Sequence, residues 1–269
     1  VVGLMNVQFA VKKEDGRPTV YILEVNPRAS RTVPFVAKAT GVPVAKIAAR
    51  LMAGEKLSVF RAQDMLKGMA TDHIAVKAPV FPFSRFAGVD PILGPEMKST
   101  GETMGLDRSF AAAFGKGFVA AGSSLPKTGT VFLSVKDRDK EAAKSLARDL
   151  MAIGFTVVCT RGTGEYLQGQ GIAVGIVNKV REGRPHIVDI MKDGGIQLVL
   201  NTTEGAKAIA DSAAIRRTAL FGKIPYSTTL SGARAMVQAM EALSKTESGF
   251  AVAPLQSYFA KAVGKKDAA

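Results

Sequence analysis

Between residues 130 and 244, short apolar runs alternate with longer stretches of helical periodicity, and this alternation constrains the fold more than any other feature of the chain. The apolar runs fall at 130–135, 155–159, 173–177 and 196–200. The helical stretches fall at 139–153, about 164–169, 186–193, 204–214 and 230–244. Runs this short and this apolar read as strands buried on both faces, and a helix between successive strands makes each crossover a parallel one. Leu146, Leu150 and Ile153 share one face of the 139–153 helix, which Gly154 terminates. The pattern predicts an α/β domain: a parallel sheet with covering helices.

In such sheets ligands collect at the carboxyl ends of the strands. Ser134 closes the first strand and Lys140 opens the helix after it. Thr160 and Thr163 follow the second strand, Asn178 and Lys179 the third, and Asn201, Thr202 and Thr203 the fourth. Within this rim Thr160-Arg161-Gly162-Thr163 reads as a tight turn between the strand Phe155–Cys159 and a helix starting near Gly164. Unsatisfied N–H groups and the positive end of the helix dipole face such a turn, and the threonine hydroxyls add donors. Each residue taken singly is an ordinary loop residue. Two lysines, several hydroxyls and an amide on one rim together suit a phosphate carrying a polar ring.

The first thirty residues carry a second pattern. Met5, Val7, Phe9 and Val11 alternate with Asn6, Gln8, Ala10 and Lys12; Glu14-Asp15-Gly16-Arg17-Pro18 is a turn cluster; residues 19–26 read as the returning strand. Folding about Gly16 sets Gln8 opposite Glu24, and Asn26 shares a face with Glu24. Three oxygen-bearing side chains make a partial set for Mg²⁺, which completes its shell with phosphates and water. Arg28 and Arg31 follow Pro27, placed to meet such phosphates. The same spacing also fits a solvated strand face with an ordinary exit loop. Residues 33–53 read as two short helices broken by Gly41 and Pro43, the second with Val44, Ile47, Ala48 and Leu51 as a core stripe. Residues 54–100 are richer in Gly and Pro and read as a connector, with a strand at His73–Lys77 and then a proline-punctuated segment. A helix is predicted over 107–115, with Phe110 and Phe114 one turn apart, and a domain boundary at 122–129. His73 has no Cys or carboxylate at ligand spacing and reads as a strand or surface histidine.

Composition narrows the function classes. The only cysteine of the 269 residues, Cys159, rules out an internal disulfide framework and suits a reducing cytoplasm. No apolar run reaches membrane-spanning length, so no membrane partner is expected. A net charge of +13 invites nucleic acid, but the basic residues are scattered, Trp is absent and Tyr is scarce, so no stacking platform is expected either. The chain opens on Val1-Val2-Gly3 within a strand-like pattern and is expected to be a piece of a longer protein.

Two stretches carry a family resemblance. Gly3 to Val11, followed by Glu24-Val25-Asn26-Pro27-Arg28-Ala29-Ser30-Arg31-Thr32-Val33-Pro34-Phe35-Val36, resembles the end of an ATP-grasp domain. The match runs on through 38–43 and 48–54. It is similar to the second ATP-grasp unit of the carbamoyl-phosphate synthase large subunit. The proline-punctuated segment continues the resemblance through Ser99-Thr100-Gly101-Glu102-Thr103-Met104-Gly105. Residues 122–245, carried by 177–189 and 201–220, resemble the methylglyoxal-synthase-like allosteric domain that closes that subunit. The resemblance implies an ATP-grasp C-terminal piece at 1–60, a connector at 61–121 completing the carbamoyl phosphate synthetic region, a doubly wound methylglyoxal-synthase-like domain at 122–262 and a tail at 263–269. It implies that Gln8, Glu24 and Asn26 hold Mg²⁺ or Mn²⁺ on ATP, and that Arg31 lies at the phosphates in a catalytic role. It also implies a nucleotide monophosphate effector, uridine or inosine monophosphate, on Ser134, Lys140, Thr160, Thr163, Lys179, Asn201 and Thr203.

The wider implications follow from the family. The parent enzyme would be a cytoplasmic ligase making carbamoyl phosphate from bicarbonate, ATP and ammonia for arginine and pyrimidine biosynthesis. A glutamine amidotransferase small subunit would supply the ammonia, and the allosteric domain could bring copies of the chain together. The nucleotide-gripping lysine and Gly-rich lid of the ATP-grasp fold are not in this sequence, so the chain alone is expected to bind effector and not to catalyse. Arg161 stands where enteric members have His, a change that tunes effector choice. Ala78 and Ser227 stand where they have carboxylates that hold ornithine, so ornithine is expected to activate weakly or not at all; full activation of the intact enzyme would contradict this. Two alternatives stand beside this reading. One is a stand-alone regulatory nucleotide-binding module. The other is a lyase making methylglyoxal, which needs a carboxylate base beside the phosphate. That family's Gly-Gly-Asp-Gln segment is replaced here by Arg181-Glu182-Gly183-Arg184-Pro185-His186, and Asp189 and Asp193 fall on a helix.

Overall fold

A computed structural model of the chain describes residues 1–68, 72–86, 90–93, 96–247 and 249–259. The expected tail at 263–269 and parts of the proline-punctuated segment lie outside the described residues. The chain divides into two compact units, one formed by 1–73 with 252–259 and the other by 74–251.

The first unit opens with strands β1 (Asn6–Glu14) and β2 (Arg17–Asn26), an antiparallel hairpin. Asp15 and Gly16 both take positive φ, 49° and 78°, which gives the tight two-residue turn the cluster predicts. Gln8 pairs with Glu24 and Asn6 with Asn26, as folding about Gly16 requires. A register shift between Gln8 and Phe9 then sets Phe9 against Ile22. Helices α1 (Thr32–Thr40) and α2 (Val44–Met52) are the two expected helices; Gly41, at φ 74°, caps the first. Helix α3 (Leu57–Ala62) falls in the stretch read as connector. Its Phe60 is buried and lies under the Arg50 guanidinium, 4.7 Å from the ring centre.

The second unit begins with β3 (Ile74–Val80) and β4 (Gly101–Asp107), an antiparallel pair, followed by α4 (Phe110–Ala120). The strand after the proline-punctuated segment is a structural addition to the sequence reading. The helix expected at 107–115 starts later because Ser109 is its N-cap, accepting from the Ala112 N–H at 3.2 Å. It runs past Gly115 to Ala120, and glycines of β4 and of the helix itself let it pack closely on its neighbours. A Cβ on Gly105 would collide with the Ala113 carbonyl, and one on Gly115 with the Phe250 ring. This layer packs on the last helix of the unit, so 74–121 and the segment expected as a separate domain from 122 share one compact unit.

The expected α/β domain follows: β5 (Thr130–Ser134), α5 (Lys140–Ala152), β6 (Thr156–Thr160), α6 (Arg161–Gly169), β7 (Gly175–Val177), α7 (Ile187–Lys192), β8 (Leu198–Asn201), α8 (Ala206–Asp211), α9 (Ala213–Phe221), β9 (Tyr226–Ser227) and α10 (Leu230–Ser244). All pairings in this sheet are parallel, in the order β7-β6-β5-β8-β9. It is doubly wound. Leu146 and Leu150 of α5, Leu167 of α6 and Met236 and Met240 of α10 bury one face of the sheet, while Ile187 and Met191 of α7 and Ile215 and Ala219 of α9 bury the other. Three readings are corrected here. The tetrapeptide Thr160–Thr163 is no free turn, since Thr160 ends β6 and α6 starts at Arg161. The 204–214 helix breaks at Ser212 into α8 and α9. A fifth strand, β9, extends the sheet. Cys159 is fully buried in β6, and desolvation pushes its thiol up to about 12.

Candidate functional site

The strand order reverses direction about β5: the chain leaves to β6 and β7 on one side and returns to β8 and β9 on the other. Loops leaving β5 and β8 therefore diverge and open a crevice at the strand ends. A cavity of about 900 Å³ lies there. Its walls include Ser134, Lys140, Thr160, Thr163, Lys179, Asn201, Thr202 and Thr203, eight of the nine strand-end residues named from the sequence; Asn178 is not among them. They meet because parallel register aligns the strand ends: Ser134 pairs with Asn201, Leu133 with Cys159, and Thr160 with Val177.

The hydroxyls do more to build the pocket than the strand-end argument indicates. Ser134 Oγ and Thr160 Oγ1 are hydrogen-bonded at 2.9 Å, tying β5 to β6. Thr163 Oγ1 accepts from the Val135 N–H at 3.1 Å and lies 3.4 Å from the Val135 carbonyl. Thr202 Oγ1 accepts from the Lys136 N–H at 3.2 Å and donates to Asp139 Oδ2 at 2.8 Å, holding the β5–α5 loop to the end of β8. Because Thr160 Oγ1 is turned to Ser134, the N-cap of α6 makes no side-chain hydrogen bond to the helix. The first-turn amides of a nine-residue helix thus keep their need for an acceptor.

Cations surround this helix end. Lys136, Arg138, Lys140, Lys179, Arg181 and Lys207 line the cavity, against Asp137, Glu182, Glu204 and Asp211. Lys140 Nζ would lie 3.8 Å from a Cβ on Gly162, so it hangs over the first turn of α6, with the Tyr166 ring 5.9 Å away. It pairs with Asp137 at 2.8 Å, and its ammonium holds that carboxyl below the usual range. Two ion pairs bridge loops at the rim, Arg138 to Glu204 at 3.1 Å and Arg181 to Asp211 at 3.3 Å. Lys136, Arg138 and Arg181, from the loops, and Lys207, on α8, stand at positions that the strand-end argument does not reach.

Asn201 is 4% exposed, and its Nδ2 has no hydrogen-bond partner among the described residues. A buried donor left unmade costs ~1–3 kcal/mol. It lies in the wall of a polar cavity, where a ligand acceptor would satisfy it.

The carboxylates offer no free base. Asp137, Glu204 and Asp211 are each ion-paired, and Glu182 accepts from the Lys179 N–H at 2.9 Å. Asp189 closes a capping box on α7 with His186, accepts from Arg184 at 2.7 Å and lies outside the cavity. The His186 N–H, and then Arg184, hold its carboxyl below the usual range.

In the first unit Glu24 and Asn26 are in contact, Asn26 Nδ2 donating to Glu24 Oε1 at 2.9 Å, and Gln8 stands opposite Glu24. Arg31 is exposed at the start of α1. The donors are hard oxygens and suit a divalent cation, but with one carboxylate they supply only part of a shell. Among the described residues no group of three or more His, Cys, Asp or Glu is placed to hold a metal. No helix among them is long and apolar enough to cross a membrane.

Residues 1–60 match the family described as carbamoyl-phosphate synthase L chain, ATP binding domain, and residues 142–228 match the MGS-like domain. The chain is 57% identical over 242 residues to the carbamoyl phosphate synthase large chain of Xanthomonas campestris pv. campestris, covering 90% of this chain and 22% of that one. It is 55% identical over 261 residues to the large chain of Rhizobium meliloti, covering 96% and 22%, and 56% identical over 258 residues to that of Myxococcus xanthus, covering 96% and 23%. The chain therefore spans about a fifth of the length of the curated relatives it matches. With an ATP-binding-domain match on the hairpin unit and an MGS-like match on the doubly wound sheet, the chain belongs to the carbamoyl phosphate synthase large chain family.

Proposed function

We propose that this chain is the regulatory part, with one edge of an ATP site, of a cytoplasmic ligase that makes carbamoyl phosphate from bicarbonate, ATP and glutamine-derived ammonia for arginine and pyrimidine biosynthesis. A glutamine amidotransferase small subunit is its partner, and the allosteric domain is the surface through which copies assemble. In the first unit Gln8, Glu24 and Asn26 contribute oxygens to Mg²⁺ or Mn²⁺, and Arg31 contacts ATP phosphate. A divalent metal held by Gln8, Glu24 and Asn26 would supply neutralisation of phosphate charge. The chain's own part there is to present three oxygens and a guanidinium from a hairpin and its exit loop.

The strand-end cavity binds a nucleotide monophosphate, uridine or inosine monophosphate. The phosphate lies at the α6 N-terminus under Lys140, and Lys179 and Thr203 complete the polar wall. Asn201 donates to the ribose or base. The observation that carries this reading is the unpartnered Asn201 amide at the wall of a cation-rich cavity beside an uncapped helix N-terminus. Arg161, exposed and 4.0 Å from Glu165, is available to tune the choice of nucleotide. Ala78 and Ser227 leave the ornithine amine without carboxylates, and Ser227 Oγ is occupied with the Thr229 carbonyl at 2.9 Å. A lyase reading gains nothing from the structure, since the lining carboxylates are engaged and Asp189 is spent on a helix cap.

The test is a calorimetric titration of this chain with uridine and inosine monophosphate, repeated with Lys140→Ala. Lys140 is the choice because Thr163 also holds the Val135 loop. Loss of a charge-assisted hydrogen bond, ~1.5–3 kcal/mol, weakens binding at least about tenfold. Unchanged affinity in the variant, or silence of the unaltered chain toward both nucleotides, would refute the pocket assignment.

A further inference from the structure

The guanidinium of Arg216 is almost wholly buried, its side chain 3% exposed, on α9. Nε donates to Asp90 Oδ1 at 2.9 Å and Nη2 to Asp90 Oδ2 at 2.6 Å, a bidentate pair spanning 126 residues of sequence. Nη2 also donates to the Ile209 carbonyl at 2.9 Å, near the end of α8, where helix carbonyls run short of donors. One side chain thus joins three segments. Two of them form a wall of the strand-end cavity: Ala208, Asp211 and Ser212 flank Ile209, and Ile215 adjoins Arg216. The third belongs to the proline-punctuated segment leading into β4. There Asp90 Oδ1 also accepts from the Ile92 N–H at 3.2 Å, and Lys98 donates to the Ile92 carbonyl at 3.2 Å, two residues before Thr100 joins Val80 of β3.

A buried guanidinium cannot part from its carboxylate without stranding a charge. Asp90 and Arg216 therefore move together, and a shift of α8–α9 carries residues 90–93 and 96–98 with it. We infer that Arg216 is a positioning residue for the cavity's α8–α9 wall and, through Asp90, the strut by which occupancy of the cavity is felt at the lead-in to β4. This rests on the effector reading of the cavity. It adds a residue pair and a direction of travel, both outside the strand-end set. Filling the cavity orders the wall, and the strut orders the segment.

The experiment is hydrogen–deuterium exchange on the 269-residue chain, free and saturated with uridine monophosphate, for the unaltered chain, Asp90→Asn and Arg216→Lys. In the unaltered chain the nucleotide should slow exchange at least about threefold, both in 206–216 and at Ile92, Leu93 and 96–98. In Asp90→Asn the slowing should persist in 206–216 and vanish in the 92–98 stretch, with nucleotide affinity changed less than about threefold. Arg216→Lys, which keeps the charge but loses the fork, should likewise abolish the slowing at Ile92, Leu93 and 96–98. A general loss of stability would not separate the two stretches in this way. Slowing at 92–98 that survives both substitutions, or that is absent from the unaltered chain while 206–216 responds, would overturn the inference. A ligand-free arm judges the strut alone: Asp90→Asn should speed exchange in 206–216, and identical rates would overturn it. Failure of the unaltered chain to bind the nucleotide would instead refute the effector reading, leaving that arm to decide the strut.

Discussion

Thr163 shows how a residue chosen for ligand chemistry can be holding up the site. It is 2% exposed, and its Oγ1 accepts from the Val135 N–H at 3.1 Å. Removing that acceptor leaves a buried amide unmade, at a cost of ~1–3 kcal/mol. Thr163→Val keeps the shape and loses only the hydroxyl, so it should lower the melting temperature of the nucleotide-free chain by several degrees, at ~2–4 °C per kcal/mol for a unit of this size. Thr163→Ser should stay close to the unaltered chain. Thermal denaturation followed by circular dichroism decides it; a Val variant that melts with the unaltered protein would mean that the Val135 loop is held by other contacts. The same bookkeeping separates Lys140, whose ammonium faces the cavity against an exposed Asp137, from Thr163. A substitution at Lys140 tests ligand binding, and one at Thr163 tests the loop.

At the scale of elements, the sequence was informative where burial imposes a pattern. The apolar runs at 130–135, 155–159 and 196–200 become the inner strands β5, β6 and β8 because a strand covered on both faces must be largely apolar, while the run at 173–177 yields only the short edge strand β7; α10 occupies the predicted span because seven of its fifteen residues are buried. Parallel register then brings Ser134, Thr160 and Asn201 together with no further information needed. Where burial is weak the reading slips. β9 is two residues long, too short for any periodicity. α3 buries Phe60 alone, and α8 buries no residue, so neither has a readable face. β4 follows prolines that signal a connector, and its pairing with β3 is set across 21 to 33 residues of sequence. The start of α6 at Arg161 turns on a tertiary bond, Ser134 to Thr160, which removes the capping hydroxyl that a local reading assigns to the turn. The loop cations and the Asp90–Arg216 pair were illegible for the same reason: their partners are fixed by topology and not by spacing.

Across the whole molecule the two compact units differ in what holds them. The described residues of 1–73 fully bury only Ile47, Ala48 and Phe60 among their apolar side chains, and the hairpin leaves Phe9, Val11, Val20 and Ile22 exposed. Residues 74–251 carry two apolar clusters, one on each face of the five-stranded sheet, together with the strand-end cavity. Stability follows apolar burial at roughly 25 cal/mol per Å² against the conformational entropy of every ordered residue, so the first unit has little margin and the second has most of it. The family match assigns 1–60 to part of an ATP-binding domain, in which such a hairpin would have more chain to pack against. Limited trypsin digestion of this chain should therefore cut first within 1–73 and leave a resistant product covering most of 74–251. Uridine monophosphate should prolong the life of that product, because the cavity lies wholly within it, and leave the rate of the first cut unchanged. Mass spectrometry of the time course identifies the products. Disappearance of the chain in a single step, with the nucleotide protecting both regions equally, would mean that the hairpin unit and the doubly wound unit unfold as one cooperative body.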